Sequence, residues 1–419
     1  MTVNIIQLLI DAAPDSVRSV DIKGWMPLHY LCENIHIDDA ASLAILELLI
    51  LKCPEAIRHA NNDGELPIHL VGGWKSPEFC RNLIEAYPGS QRIAEANGLL
   101  PLYWACSYNT RATVEYLYKL YPDAINHTSR GFYPIHYAIT GVKQRVHPIA
   151  ALEVVKYLLD CDPNVKLQKI RGKSLLHYAC RKRYNDSNID AALEIIEAIY
   201  DTHPEAIEEN RIASDIQRYH QQVQTFINSQ LVYSRQAKDR HVMTTPDDNG
   251  RLPLHTALQN NVRLGSIKLL VKGNPHSLQT PDNSGTLTLH MACQHHNSAN
   301  VIQYLVGLDA TTLDAVDREG NTALHYACHY ARHEIIVLLL DKFDAVSVSK
   351  RNSQNKLPID LLWESNEVED RESVEYTESV FRLLAAYPET LMNIGIQKPL
   401  SAFNACPGQS GRKRKFGEE

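Results

Sequence analysis

Asp317-Arg-Glu-Gly-Asn-Thr-Ala-Leu-His-Tyr-Ala327, followed by Glu334-Ile-Ile-Val-Leu-Leu-Leu340, is the stretch on which the reading of this chain turns. A glycine comes first, a tripeptide ending in histidine follows, then a small residue, and an apolar run closes the unit. Working outward, the same order recurs as Gly24-Trp-Met-Pro-Leu-His29, Gly64-Glu-Leu-Pro-Ile-His69 and Gly131-Phe-Tyr-Pro-Ile-His136. It recurs again as Gly172-Lys-Ser-Leu-Leu-His177, Gly250-Arg-Leu-Pro-Leu-His255 and Gly285-Thr-Leu-Thr-Leu-His290. Gly98-Leu-Leu-Pro-Leu-Tyr103 carries Tyr in place of His, and Asn355-Lys-Leu-Pro-Ile-Asp360 has lost both Gly and His. The glycine position advances by 40, 34, 33, 41, 78, 35, 35 and 35 residues. A period in this range marks a solenoid, in which each unit buries its apolar face only against its neighbours.

Each repeated residue has a physical task. The glycine permits positive φ in a tight turn, and Asp63, Asp248 and Asp317 close before it suit turn chemistry. Proline opening the tripeptide fits a first helical turn, where its missing N–H is not needed. The small pairs Ala179-Cys180, Ala292-Cys293 and Ala327-Cys328 let two helices approach closely. Apolar stripes such as residues 43–50 and 151–159 predict a second helix in each unit. Pro14, Pro54, Pro88, Pro122, Pro163, Pro204, Pro275 and Pro388 then stop it. The expected unit is turn, helix, loop, helix, turn, with little or no β structure.

On these residues the chain resembles the ankyrin-repeat family, whose unit of about 33 residues is built around Thr-Pro-Leu-His-x-Ala. The resemblance covers about residues 3–395. It implies an all-α ankyrin-repeat solenoid of stacked helix-turn-helix units with finger loops between repeats. One departure stands out. Leu, Met or Tyr replaces the family threonine in seven of nine copies, and only Ser174 and Thr322 keep a hydroxyl. The side-chain cap of the first helix is then missing from most repeats, at roughly 1 kcal/mol each, and apolar packing is expected to compensate.

The organisation expected is an N-terminal array over 1–207 with an incomplete first repeat, a segment 208–245, a second array over 246–395, and a disordered basic tail over 396–419. The 78-residue step from Gly172 to Gly250 holds a polar, Gln-rich stretch with Ile216, Tyr219, Val223, Phe226, Ile227 and Leu231 at helical spacing. Either a helix is inserted into a finger or one repeat has degenerated; insertion is favoured, because the flanking halves match one split finger. An inserted helix must bury its stripe in the array's own groove, as a lid, or against a partner. Val3-Asn-Ile-Ile-Gln-Leu-Leu-Ile10 reads as a second helix without its first, which leaves Ile5, Ile6, Leu8 and Leu9 as an apolar edge. Residues 364–378 carry seven acids and one base and are expected to be a solvated loop.

Composition is that of an ordinary globular chain, 44% hydrophobic and 22% charged. A net charge of −7 argues against bulk attraction to nucleic acid. No apolar run reaches the roughly 18 residues of a membrane helix. Nine cysteines without a CxxC read as reduced thiols, hence a cytoplasmic or nuclear location. Arg412-Lys-Arg-Lys415 is either a solvated tail or a nuclear import signal.

Catalytic and metal motifs fail on inspection. Arg171-Gly-Lys-Ser174 lacks the first glycine of a phosphate loop, since position 167 is Leu. His290, Cys293, His295, His296, His325, Cys328, His329 and His333 are rich in ligand types, but neighbouring helices about 8–10 Å apart do not converge on one ion. No catalytic residue, cofactor or metal, and no small-molecule substrate, is expected. The expected function is a non-catalytic interaction scaffold that binds another protein on the concave surface. A nuclear adaptor and an array belonging to a larger enzyme or membrane-associated complex are the alternatives.

The resemblance places partner contacts at finger tips and first-helix starts. Here these are Lys23, Trp25, Leu99, Tyr108, Arg130, Phe132, Lys173, Arg181, Lys182, Arg251, Thr286, His295, Glu319, Asn321, His329 and Tyr330. Trp25, Phe132 and Tyr330 are the preferred hot spots, because aromatic anchors dominate interface energetics.

Overall fold

Helices and turns account for all regular structure in the described residues of the computed structural model, which are 2–71, 75–142, 149–295, 297–341, 348–368 and 370–386. Among them no strand forms, only isolated bridges between Ser129 and Phe132 and between Ile170 and Lys173. Pro388 and the tail with Arg412–Lys415 lie outside the described residues. The chain divides into two units, Met1–Ser234 and Arg235–Glu419.

The first helix of each repeat is short, and in most repeats a side chain fixes its start. In Pro27–Glu33 the Met26 N–H donates to Nδ1 of His29 at 3.1 Å. Leu66 and His69, Tyr133 and His136, Leu252 and His255, and Leu287 and His290 repeat this bond at 3.0–3.2 Å. The histidine three residues into the helix therefore satisfies the N-cap N–H, the reciprocal half of a capping box. This bond does not replace the lost threonine, since the repeat that keeps Thr322 makes it as well. Thr322 adds the other half, accepting from His325 N while its own N–H donates to His325 Nδ1; Ser174 also accepts from His177 N, but its own N–H goes to Glu209. Asp360 does the histidine's work for Leu357 N at 2.8 Å.

An Nδ1 that accepts leaves the proton on Nε2. That atom reaches the next repeat, at Glu65 O from His29, Ile93 O from His69, Ala315 O from His290 and Lys356 O from His325, at 3.0–3.3 Å. Tyr103, in the histidine position, spans the same gap with its hydroxyl on His127 O at 2.5 Å. One side chain thus starts a helix and ties it to its neighbour.

In the first unit the second helices are Thr2–Ala12, Asp39–Lys52, Pro77–Ala86, Arg111–Leu120, Ile149–Cys161 and Ile189–Thr202. Proline then opens a 3₁₀ turn at Pro14–Arg18, Pro54–Arg58, Pro122–Asn126 and Pro204–Glu208. Cys32, Cys80, Cys106 and Cys180 lie fully buried where helices pack. Burial pushes the Cys80 thiol up to about 12, so it is not nucleophilic. Ile5, Leu8 and Leu9 of the opening helix are exposed, while Ile6 is half-buried and Ile10 buried.

No finger follows Pro204–Glu208. The chain turns directly into Asn210–Asp215, a 3₁₀ turn and the helix Gln221–Lys238. Ile212, Tyr219, Val223, Phe226 and Ile227 are buried in the same apolar core as Ile195 and Ile199. Phe226 meets Tyr200 edge-on at 5.7 Å. The apolar stripe therefore covers no groove and awaits no partner; it continues the core, which removes the lid expectation. Two carboxylates stand in for the absent finger. Glu209 accepts from Ser174 N at 3.2 Å, and Asp215 lies 3.1 Å from His177 Nε2.

In the second unit the first helices Pro253–Gln259, Thr288–Gln294, Ala323–His329 and Pro358–Glu364 alternate with Leu264–Gly273, Ala299–Leu308, His333–Leu340 and Val374–Ala386. The solvated-loop expectation for 364–378 is corrected only at its end: the described residues between the helix ending at Glu364 and Val374 form a mostly exposed loop, and the last helix begins at Val374 and buries Tyr376, Ser379 and Leu383. Ser379 Oγ lies 3.1 Å from His333 Nδ1. Of the seven acids only Glu375 and Glu378 fall in this helix, and both are exposed.

Candidate functional site

The fingers come in two kinds, and sequence explains both. Most are held by a side chain three residues before the glycine. Asp21, Asn61, Asp247, Asp282, Asp317 and Asn352 each accept two backbone N–H groups across their turn, as in Asp282 with Ser284 N at 2.8 Å and Thr286 N at 2.9 Å. Glu95 does the same with both carboxylate oxygens. Asp317 was anticipated for this role; Asp63 and Asp248 were not the right residues, because only a group three positions ahead reaches both N–H groups. These fingers stack. Asn62 N donates to Lys23 O, Ala96 N to Asp63 O and Asn283 N to Asn249 O, each at 3.0 Å.

The fingers at 129–132 and 170–173 lack that side chain, having Thr128 and Lys169 at the corresponding place. They close instead as two-residue hairpins. Ser129 and Phe132 exchange backbone bonds of 3.0 and 2.8 Å, and Ile170 and Lys173 do so at 3.0 and 2.9 Å. Both central residues have positive φ, 51° and 80° at Arg130-Gly131 and 49° and 73° at Arg171-Gly172. This is the type I′ pattern, which Asn-Gly adopts readily and an arginine does not. Nothing lies within 4 Å of a Cβ built on Gly131 or Gly172, whereas one on Gly250 would be 2.9 Å from Asn283 N. The two hairpin tips thus have open space over their glycines.

Behind these tips the residue after each motif histidine lines the first-helix face. Trp104, Tyr137 and Tyr178 are half-buried there. Trp104 stacks on Tyr108 with centroids 6.0 Å apart. Phe132 lies 6.2 Å from Tyr137 and 6.1 Å from Tyr178, edge-on to both. Tyr178 meets Thr140 Oγ1 at 3.1 Å and carries the Lys182 ammonium 4.1 Å above its ring. Below, His136 is fully buried, and burial pulls it down to about 4, with Lys182 adding to the shift. Burial also lowers His177, and next to it come the charges of Lys173 and Arg181.

Of the expected site residues, this region gathers Tyr108, Arg130, Phe132, Lys173, Arg181 and Lys182. Arg130 reaches Asn97 Oδ1, and Arg181 is 3.9 Å from Asp215. Lys23 is exposed on the first finger, and Trp25 packs 5.0 Å from Tyr30. Leu99 and Thr286 are buried, at 8% and 5% exposure, and have no free face to offer. In the second unit Arg251 binds Gln259 and lies 3.6 Å from Asp282, while His295 ends its helix. Glu319 and His329 are exposed, Asn321 accepts from Asn352 Nδ2, and Tyr330 receives Gln294 Nε2 at 3.1 Å. The sequence reading missed Trp104, Tyr137, Tyr178 and Arg171. The signal was present as an aromatic directly after the motif histidine, or after Tyr103 in its place.

The Cys and His candidates for metal are spoken for otherwise. His290 and His325 hold backbone groups, and Cys293 and Cys328 are buried thiols with raised pKa. Among the described residues no group of three or more His, Cys, Asp or Glu is placed to hold a metal ion. His296 lies outside them. No described helix is long and apolar enough to cross a membrane.

A family model described as ankyrin repeats, three copies, matches residues 73–167, 217–314 and 261–352, more than half of the chain. A comparison with curated proteins returned no match.

Proposed function

The chain belongs to the ankyrin-repeat family, and from that premise we propose that it is a non-catalytic scaffold or adaptor that holds another protein against its fingers and first helices. Ankyrin repeats are in general protein-interaction modules, and proteins built of them are typically non-catalytic. The observation that carries the reading is the face formed by Tyr108, Phe132, Tyr137 and Tyr178, whose rings are half-buried beside exposed cations rather than consumed by the core. Aromatic side chains beside Arg are the usual anchors of protein interfaces. The non-catalytic reading is supported by the fate of the reactive side chains: His29, His69, His136, His255, His290 and His325 hold backbone N–H groups, and Cys32, Cys106 and Cys180 are fully buried. Free thiols in both units support a reducing, cytoplasmic location.

The test is affinity capture with the full chain and a Phe132→Ala, Tyr178→Ala double variant, both shown to be folded by circular dichroism. A defined set of proteins should be retained by the first and lost by the second. Equal capture by both chains would place the function elsewhere on the molecule.

A further inference from the structure

Residues 166–183 contain Lys166, Lys169, Arg171, Lys173, Arg181, Lys182 and Arg183 and no acid, in a chain that carries 49 acids against 42 Lys and Arg. A local excess of positive charge against a negative whole is a directed field, not a property of the bulk composition. The fold places it around one feature. The 170–173 hairpin carries Arg171 at its tip, and the first helix behind it ends at Arg181, Lys182 and Arg183. Acids reach this region from the fingerless stretch that follows. Glu209 lies 3.2 Å from Lys169, and Asp215 lies 3.9 Å from Arg181 and 3.2 Å from Arg218. Asp186, in the loop after Arg183, is exposed. The balance stays strongly positive.

Two further observations mark the tips. Arg130 and Arg171 both occupy the first central position of a type I′ turn at positive φ. Asn or Gly would relax either turn, and backbone strain of this kind gathers at functional sites. Neither tip has a neighbouring finger stacked on its glycine. Both arginines are exposed at their tips, Arg130 reaching Asn97 Oδ1, and on the first-helix face Lys182 lies 4.1 Å over the ring of Tyr178, which meets Phe132 edge-on.

We propose that the two hairpin fingers and the first-helix face behind them, with Arg130, Phe132, Arg171, Lys173, Tyr178 and Lys182, bind an extended acidic peptide segment of a partner protein that also carries aromatic residues. The proposal rests on the interaction reading above and names the chemistry of the partner. Acidic side chains pair with the tip arginines, which present planar, multiply donating heads to carboxylates. Partner aromatics meet Phe132 and Tyr178 edge-on, as these rings already meet each other. A nucleic acid fits less well, because a long polyanion would extend past this patch over a chain whose net charge is −7.

The experiment pans a random peptide display library on the full chain and measures a synthetic peptide of alternating Glu and Tyr by fluorescence anisotropy. Acid-rich sequences containing aromatics should be enriched. Arg171→Glu with Arg183→Glu should weaken the Glu/Tyr peptide by about tenfold or more, and added salt should weaken it further. Arg171→Gly, which suits the turn geometry, should weaken it in a chain at least as stable as the original. Enriched peptides that lack acids but are lost on Phe132→Ala would overturn the acidic partner while leaving the interaction face standing. A library that enriches nothing would overturn both. Single-stranded DNA that outcompetes the peptide, and loses its own binding in the double variant, would make the patch a nucleic-acid site and end the proposal.

Discussion

The fingers at 247–250 and 170–173 perform the same topological task by opposite means. In the first, Asp247 holds Asn249 N and Arg251 N, and Gly250 lies against the next finger. In the second no side chain closes the turn, an arginine is held at φ 49°, and Gly172 faces open space. The first arrangement invests its polar groups in the stack. The second leaves strain and charge at its tip. The step to the next finger glycine does not decide which is which: the hairpins precede steps of 41 and 78 residues, yet the finger of Gly24 precedes a step of 40 and still stacks on its neighbour through Asn62 N and Lys23 O. What separates the two kinds is the residue three places before the glycine.

The sharpest break of this comparison is a methyl group. Gly250→Ala suffers the left-handed penalty and forces Cβ against Asn283 N, which as backbone cannot swing aside. The loss should be about 3–4 kcal/mol. Gly131→Ala suffers only the conformational penalty, about 1–2 kcal/mol. Urea denaturation of the two variants decides the matter, and equal losses would mean that stacking does not separate the two kinds of finger.

Acid should unfold both kinds through their histidines. The cap requires neutral His, since Nδ1 must accept an N–H. Burial holds the capping histidines His29, His69, His136, His255, His290 and His325 below the ordinary value near 6.5, and His136 at about 4. With the folded value depressed, the unfolded chain binds more protons as pH falls. Stability is therefore complete above about 6.5 and drains away towards 4. His136 alone accounts for roughly 3 kcal/mol of that loss. Unfolding free energies measured across this window should fall monotonically, and a His136→Gln chain should show a shallower slope. A flat profile would contradict the capping role.

How much of this could be read beforehand follows from the range of each interaction. The helix pairs and the repeat boundaries are local in sequence, so the tripeptide carried them; the histidine cap is equally local, but the missing threonine pointed to an absent cap instead. The fingerless segment was legible as a helix through Val223, Phe226 and Ile227. Its destination was not, because packing on Tyr200 depends on where the previous helix places that ring. Asp215 replacing a finger carbonyl for His177 joins residues 38 apart and has no local signal. The site was half legible for a similar reason. Finger tips are set by sequence position, which found Arg130, Phe132 and Lys173. Burial of Leu99 and Thr286 depends on the neighbouring finger, which sequence position does not reveal.

A smaller effect tests the closing groups themselves. Asp282→Ala removes the acceptor of Ser284 N and Thr286 N and the carboxylate beside Arg251. The expected loss is about 2 kcal/mol, since Thr286 N is buried and left without its partner. Thr128→Ala, at the equivalent place before Gly131, should change stability by less than about 0.5 kcal/mol. Thermal unfolding of the pair checks it, and a comparable loss at Thr128 would show that the hairpin finger depends on that position after all.

The smallest effect runs in the opposite direction. Arg171→Asn keeps the hairpin and places a residue that tolerates the left-handed region where arginine does not. The chain should gain up to about 1 kcal/mol. The control is Lys23→Asn, at an exposed finger position with no positive φ, which should stay within about 0.5 kcal/mol of the original. Urea denaturation measures both, and anisotropy with the Glu/Tyr peptide measures the cost in binding. A gain in stability accompanied by weaker binding would show that the arginine is kept at that tip against the preference of the backbone. A loss of stability on Arg171→Asn would mean that the side chain, not the turn, holds the finger in place, and the contrast between stacked and free-standing fingers would lose its energetic basis.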